Sequence, residues 1–169
     1  MSIYIDAGCH NGDSIKDFYK PVVTRGIHSI GIDPLNKYQK EWFEITKIYG
    51  TEFINKAALD YNGEVHFSEK EQDIKSSVMT DKVNYLKGNI KIVECFDFSE
   101  FVKNLNDDVI IRMDIEGAEY PVLNKMIKDG TINKINFLGI EWHSQKMLKD
   151  IYKKYQEEII KKLNELNIK

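Results

Sequence analysis

Four short apolar runs, each carrying an acidic residue at its far end, constrain this chain more than any other feature of it. Ile3-Tyr4-Ile5 runs into Asp6, Ser29–Ile32 into Asp33, Val109–Ile115 carries Asp114, and Ile135–Trp142 carries Glu141. Short, Ile- and Val-rich runs bounded by turns are the pattern of strands buried on both faces. Helical stretches separate them. The first spans Gly12 to Tyr19 and stops at Pro21, which cannot continue a helix. Lys37 to Tyr49 sets Tyr38, Trp42, Ile45 and Ile48/Tyr49 on one face at helical spacing. Ser99–Leu105 is capped by Asp97 or Ser99, a helix after Gly117 runs to about Lys128 and stops at Gly130, and a charged amphipathic helix covers Ser144–Leu166. This alternation predicts an α/β, Rossmann-like fold with a mostly parallel sheet and flanking helices. Such sheets bind ligands at the carboxyl ends of their strands, near the point where strand order reverses. The four acids fall at those ends.

The middle of the chain is less regular. Glu52–Leu59 reads as one strand, and Asn62-Gly63 as a two-residue hairpin turn into Glu64–Phe67. Ser68 to Gly88 is a long polar loop, followed by a strand at Ile90–Cys95. With no repeat, low-complexity tract or linker, residues 1–169 are expected to form a single domain. A composition of 42% hydrophobic residues supports a core without disulfides. Cys9 and Cys95 match no metal-binding spacing and are expected to pack as small apolar groups in a reducing compartment. A net charge of −3 with interspersed signs argues against a general nucleic-acid binder. No apolar run reaches the roughly 20 residues of a membrane span, and no leader is visible, so a cytoplasmic location is expected.

The acids gain meaning from their neighbours. In Asp6-Ala7-Gly8-Cys9-His10-Asn11-Gly12-Asp13, an acid stands where a dinucleotide-binding turn has glycine. That inverts the electrostatics: the turn repels a pyrophosphate and attracts a cation such as the ammonium of S-adenosylmethionine (SAM). The same pattern also fits an ordinary strand-to-helix turn. In Gly31-Ile32-Asp33-Pro34 the acid can accept both ribose hydroxyls of an adenosine, or cap the helix that follows. Arg112-Met113-Asp114-Ile115-Glu116-Gly117-Ala118-Glu119 packs three acids and an arginine at the end of the most apolar strand. Unpaired buried charges cost several kcal/mol, so this cluster needs partners, ligand or solvent. Arg112 is placed to neutralise it, and Glu119 to favour the start of the next helix through the dipole. Mg²⁺ on Asp114, Glu141 and Asp97 is a rival reading of the acids. His10, with no second histidine at ligand spacing, reads as a loop residue.

Four segments in chain order carry a resemblance: Tyr4-Ile5-Asp6-Ala7-Gly8-Cys9-His10-Asn11-Gly12, Ile32-Asp33-Pro34, Asn55-Lys56-Ala57-Ala58-Leu59 and Arg112 to Glu119. Together they resemble the FkbM family of SAM-dependent methyltransferases. Its members show a V-D-V-G-A-N-x-G turn, an acid-Pro after the second strand, an N-x-A-L segment and K-x-D-x-E-G-x-E. The resemblance runs from about Ile3 to His143. It implies that Asp6, Gly8, His10, Asn11 and Gly12 line the methionine part of SAM, and that Asp33, followed by Pro34, holds the ribose. Lys56, Ala57 and Ala58 would flank the adenine, with Asp114 to Glu116 beside the methyl group. It also implies methylation of a hydroxyl, often on a sugar. The chain departs from the family in carrying Arg112 for the usual lysine, in starting almost at the first strand, and in stopping where a last strand pair would begin.

Methylation of a hydroxyl is an in-line displacement helped by positioning and by removal of the hydroxyl proton. Asp114 or Glu116 is expected to orient or deprotonate the acceptor, a small molecule or glycan. His143 is the alternative base, or else a helix-capping or surface histidine. Ser76 and Ser77, in the long loop, face substrate, SAM or solvent. Two other classes remain open. A non-catalytic SAM-fold module would use the helix bearing Ile151, Tyr155, Ile159 and Leu163/Leu166 as an interface for a protein partner or an oligomer. A nucleotide-binding oxidoreductase would need the phosphate-binding glycines that the first turn lacks.

Overall fold

The structure, a computed structural model, describes residues 2–18, 27–70, 76–83 and 85–168. Its strands are β1 (Ser2–Ala7), β2 (His28–Ile32), β3 (Glu52–Ile54), β4 (Ala57–Leu59), β5 (Gly63–Glu69), β6 (Asn89–Asp97), β7 (Asp108–Met113) and β8 (Ile135–Ile140). Its helices are α1 (Asp13–Phe18), α2 (Gln39–Tyr49), α3 (Phe98–Asn104), α4 (Glu119–Asp129) and α5 (Ile151–Glu165). Tyr19 and Pro21, read as the end of the first helix, lie outside the described residues. No helix among those described is long and apolar enough to cross a membrane.

Five strands form one parallel sheet in the order β3-β2-β1-β7-β8. Strand order reverses between β1 and β7, which makes their carboxyl ends the switch point. The central strand β1 is apolar on both faces because helices cover both. Ile3, Ile5 and Ala7 pack with Phe98, Val102, Leu123, Met126 and Ile159 from α3, α4 and α5. Tyr4 faces the other way, onto Ile15, Trp42 and Ile45 from α1 and α2. Each large aliphatic side chain or phenylalanine among them, fully buried, contributes about 1.5–3 kcal/mol.

The register aligns the strand ends. Ile54 pairs with Ile32, Ile32 with Ala7, Ala7 with Met113, and Met113 with Ile140. The next residues of the five strands are therefore Asn55, Asp33, Gly8, Asp114 and Glu141, standing in a row along one edge of the sheet. Backbone hydrogen bonds carry the ladder one step further: Gly8 N–H to Ile32 O at 2.8 Å, and Asp114 N–H to Ala7 O at 2.9 Å.

The structure corrects four local expectations. Glu52–Leu59 is two strands: β3 joins the main sheet, while β4 pairs in parallel with β6 in a second sheet ordered β4-β6-β5. The break comes at Asn55, whose side-chain amide donates to Asp33 O at 2.9 Å and turns the chain away. Asn62-Gly63 consequently closes no two-residue hairpin, because β6 lies between β4 and β5. The Asn62 side chain instead accepts from Asp97 N–H at 3.0 Å. On α2, Trp42 and Ile45 are buried but Ile48 is 66% exposed. In the C-terminal segment a short turn at Ser144–Lys146 precedes α5, whose buried side chains are Tyr152, Ile159 and Leu163, with Ile151 and Tyr155 left outside. At the helix ends and the cysteines the expectations hold. Asp97 rather than Ser99 caps α3, accepting from Glu100 N–H at 3.0 Å, and Gly130 ends α4 in the left-handed conformation. Cys9 and Cys95 are free and buried.

Gly8 is where β1 meets the β7 turn most closely. A Cβ there would lie 1.9 Å from Asp114 O, at a φ of +85°, whereas Gly50 at φ +71° has nothing within 4 Å. Gly50→Ala should therefore cost only the left-handed conformation, about 1 kcal/mol. Gly8→Ala adds a backbone clash and should cost at least about 3 kcal/mol in urea unfolding; equal losses for the two variants would refute the close crossing.

Candidate active site

A cleft opens along the row of strand ends, with an empty volume of about 690 Å³ that includes its open mouth. It is lined by Gly8 and His10 after β1, by Asp33, Pro34 and Leu35 after β2, and by Lys56, Ala57 and Ala58 at β4. Phe67, Ser76, Ser77 and Val78 form another wall, and Asp114, Ile115 and Glu116 close it after β7. Most of the residues singled out from sequence thus meet in one place. Asp6, Asn11, Gly12 and His143 do not line it.

Asp6 is fully buried. Its cross-strand neighbour is Arg112, which donates to one carboxylate oxygen at 2.9 Å, while Ser14 donates to the other. Burial pushes the Asp6 carboxyl up, and Arg112 and Ser14 pull it only partly back. The second arm of Arg112 donates to Asp114 Oδ2 at 2.9 Å. One planar guanidinium therefore joins two strands, a span that a lysine ammonium cannot make with the same fork. Gly12 serves packing: a Cβ there would meet Ile45 at 2.4 Å. Asn11 holds the start of α1, its Oδ1 accepting from Asp13 N–H at 3.1 Å.

His10 takes a left-handed φ of 53°, uncommon for a side chain other than glycine and a mark of functional sites. Three contacts hold it there. His10 N–H donates to Asp33 Oδ2 at 3.0 Å, Trp42 donates to His10 O at 2.8 Å, and Tyr38 Oη lies 2.6 Å from His10 Nε2. Asp33 Oδ1 accepts from Leu35 N–H at 2.9 Å, which bridges the turn and does not cap a helix, since neither helical segment that follows has a side-chain cap bond, and Asp33 lines the cleft. Burial raises its pKa to about 6 against the pull of those two N–H groups. Each oxygen keeps a second lone pair. Lys56 pairs with Glu94 at 2.6 Å.

Glu116 also takes a left-handed φ, 54°. Its carboxylate meets Lys82, a lysine 4% exposed, and Lys146 at 3.5 Å, and its carbonyl accepts from Ser77 at 2.7 Å. Lys82 carries no sequence signal; it sits in a polar stretch and is recognisable only once the chain has folded over the cleft. Glu119 stands in the first turn of α4, as its dipole reading requires, and being wholly buried it also acts as a clamp. Its Oε2 accepts from Gly117 N–H at 2.8 Å, and its Oε1 from the His143 N–H at 3.0 Å and the His143 ring at 3.1 Å. His143 is neither a surface residue nor a side-chain cap, being 1% exposed. Its Nε2 lies 3.6 Å from Asp114, 3.4 Å from Glu116 and 3.5 Å from Glu141. Asp97, weighed as a Mg²⁺ ligand, is elsewhere, pairing with Lys125 at 3.3 Å.

Burial alone would lower the His143 pKa; the hydrogen bond and charge of Glu119, helped by Glu116, outweigh it and hold the imidazole above 6.5. A histidine raised in this way lends stability below 6.5 that is lost as pH rises through its folded pKa. In metal-free buffer, NMR titration of Glu119→Gln should show the His143 pKa falling from its wild-type value. The stability gap between wild type and Glu119→Gln should then narrow as pH rises through the wild-type value. An unchanged titration would remove Glu119 as the cause.

Residues 6–167 match the methyltransferase FkbM domain family. The fold is similar to the crystal structure of methyltransferase FkbM from Methylobacillus flagellatus KT, with a TM-score of 0.58, 16% sequence identity and 95% of this chain covered. The chain spans 38% of the length of that protein, and at such identity the likeness concerns the fold alone. A search of curated proteins finds no match. The family match covers nearly the whole chain, including both acid turns and the Arg112–Glu119 segment, and on that ground this protein belongs to the methyltransferase FkbM domain family.

Proposed function

We propose that this protein transfers a methyl group from SAM, held in the cleft, to a hydroxyl of a small-molecule or glycan acceptor. The observation that carries this reading is Asp33: a buried carboxylate at the switch-point cleft, oriented by two backbone N–H groups and retaining lone pairs toward the cavity. That is what a ribose diol requires. Apolar Leu35, Ala57, Phe67 and Val78 on the adjoining walls suit a flat adenine, and Gly8 and His10 lie toward the methionine end.

Bound SAM supplies a methyl group already activated by its sulfonium. The chain's own residues position the acceptor and handle its proton. Asp114, locked by Arg112, orients the acceptor hydroxyl, and Asp6 acts at one remove by fixing Arg112. Glu116, held in place by Lys82, takes the proton. His143 does not line the cleft and acts through the carboxylates it faces.

Calorimetric titration with S-adenosylhomocysteine tests the reading. Micromolar binding is expected, weakened at least tenfold in Asp33→Ala. Because the ionised carboxylate accepts from both ribose hydroxyls more strongly than the protonated acid does, affinity should be highest well above pH 6 and fall as pH drops through about 6. A folded protein that binds nothing, or an Asp33→Ala variant that binds as well as wild type, would end this assignment.

A further inference from the structure

We propose that Asp114, Glu141 and His143 form a site for one divalent transition-metal ion at the rim of the cleft. One donor atom from each lies within 4.8 Å of the others. Ligands at about 2.1 Å from a common ion stand about 3–4 Å apart, and His143 Nε2 is 3.6 Å from Asp114 Oδ1 and 3.5 Å from Glu141 Oε1. Acidic clusters alone are common on protein surfaces. The imidazole distinguishes this one.

The His143 side chain is 0% exposed, and its Nε2 has no hydrogen-bond partner. A buried polar atom left unpaired is costly. The ring's other nitrogen, Nδ1, lies against Glu119 Oε1, which as a carboxylate only accepts. Nδ1 therefore carries the proton whenever the ring is neutral, and the Nε2 lone pair then faces Asp114 and Glu141. Carboxylate behind imidazole behind metal is the arrangement that orients metal-binding histidines. The three carboxylates facing Nε2 stand 3.4–3.6 Å away without a hydrogen bond to it, a spacing that ligands of one shared ion also have.

Charge agrees. Among the described residues, Asp6, Asp114, Glu116, Glu119 and Glu141 face only Arg112, Lys82 and Lys146 around this point, which leaves two negative charges when His143 is neutral. One divalent ion cancels them. Glu141 is 56% exposed and opens the position to solvent. A nitrogen with two carboxylates suits Mn²⁺ or Zn²⁺ better than Mg²⁺ or Ca²⁺. The use of the ion, though not its binding, rests on the methyl-transfer reading: beside Asp114 it would receive the acceptor oxygen and make its hydroxyl more acidic.

The test needs no SAM. Full-length protein stripped with chelator and desalted is titrated with MnCl₂, ZnCl₂ and MgCl₂ by calorimetry, with electron paramagnetic resonance following Mn²⁺. The expected result is one equivalent of Mn²⁺ or Zn²⁺, bound at least tenfold more tightly than Mg²⁺. Glu141→Gln and His143→Ala should each weaken it at least tenfold, and Glu165→Gln on the exposed face of α5 should not. Should His143→Ala fail to fold by circular dichroism, the exposed Glu141→Gln carries the test. No saturable binding by folded wild type, equal binding by Glu141→Gln, or equal affinity for Mg²⁺ would each overturn the site. S-adenosylhomocysteine binding without metal binding overturns the ion alone; metal binding without S-adenosylhomocysteine binding overturns the cleft assignment and leaves the ion.

Discussion

Asp6 lies on the central strand with no exposed surface, and a lone carboxylate there would cost several kcal/mol. Arg112, directly across from it on β7, meets that charge and spends its second arm on Asp114. Much of the site follows from this one guanidinium. It ties β1 to β7 at the point where strand order reverses, and it holds the first carboxylate after β7 in a single orientation at the edge of the cleft. Ser14, reaching Asp6 from the first turn of α1, brings the opening helix into the same network.

Around that link the cleft is shaped by backbone strain that other contacts hold in place. His10 and Glu116 both take left-handed φ values, one after each of the two strands joined by Arg112. Strain of this kind persists only where the surroundings over-determine it. Asp33, Trp42 and Tyr38 hold His10; Lys82, Ser77 and Lys146 hold Glu116. Behind them Glu119 binds the Gly117 N–H, the His143 N–H and the His143 ring together, so the turns after β7 and β8 are tied to one carboxylate.

Much of this was legible in the chain. The apolar runs at Ile3–Ile5 and Val109–Met113 can only be interior parallel strands, and the acids after them mark the ligand edge whatever the details of packing. The Glu52–Leu59 run was not legible as two strands, because two polar residues between short apolar pieces do not reveal that its halves pair with different sheets. The turn at Asn55-Lys56 has no glycine or proline to announce it, and it depends on a bond to Asp33 O, a contact 22 residues away in sequence. Lys82 and the clamping role of Glu119 were hidden for the same reason, since their partners are 34 and 24 residues distant.

The sequence by itself determined the class of fold and the row of acids, because strand periodicity and the position of charge within an apolar run are local properties. Register did the rest within the sheet: once the strands pair, the residues after Ile32, Ala7, Met113 and Ile140 must stand side by side. Tertiary structure alone decided which acids face the cleft and which are consumed internally. Asp6 and Asp33 look alike in sequence, each near the end of a buried strand. Asp6 points at the neighbouring strand and is neutralised by Arg112, whereas Asp33 stands one residue beyond the sheet and keeps lone pairs toward the cavity. That difference is a matter of two residues in register, since Asp6 pairs with Gly31 while Asp33 follows the last pair, Ala7 and Ile32, and only the paired sheet sets it.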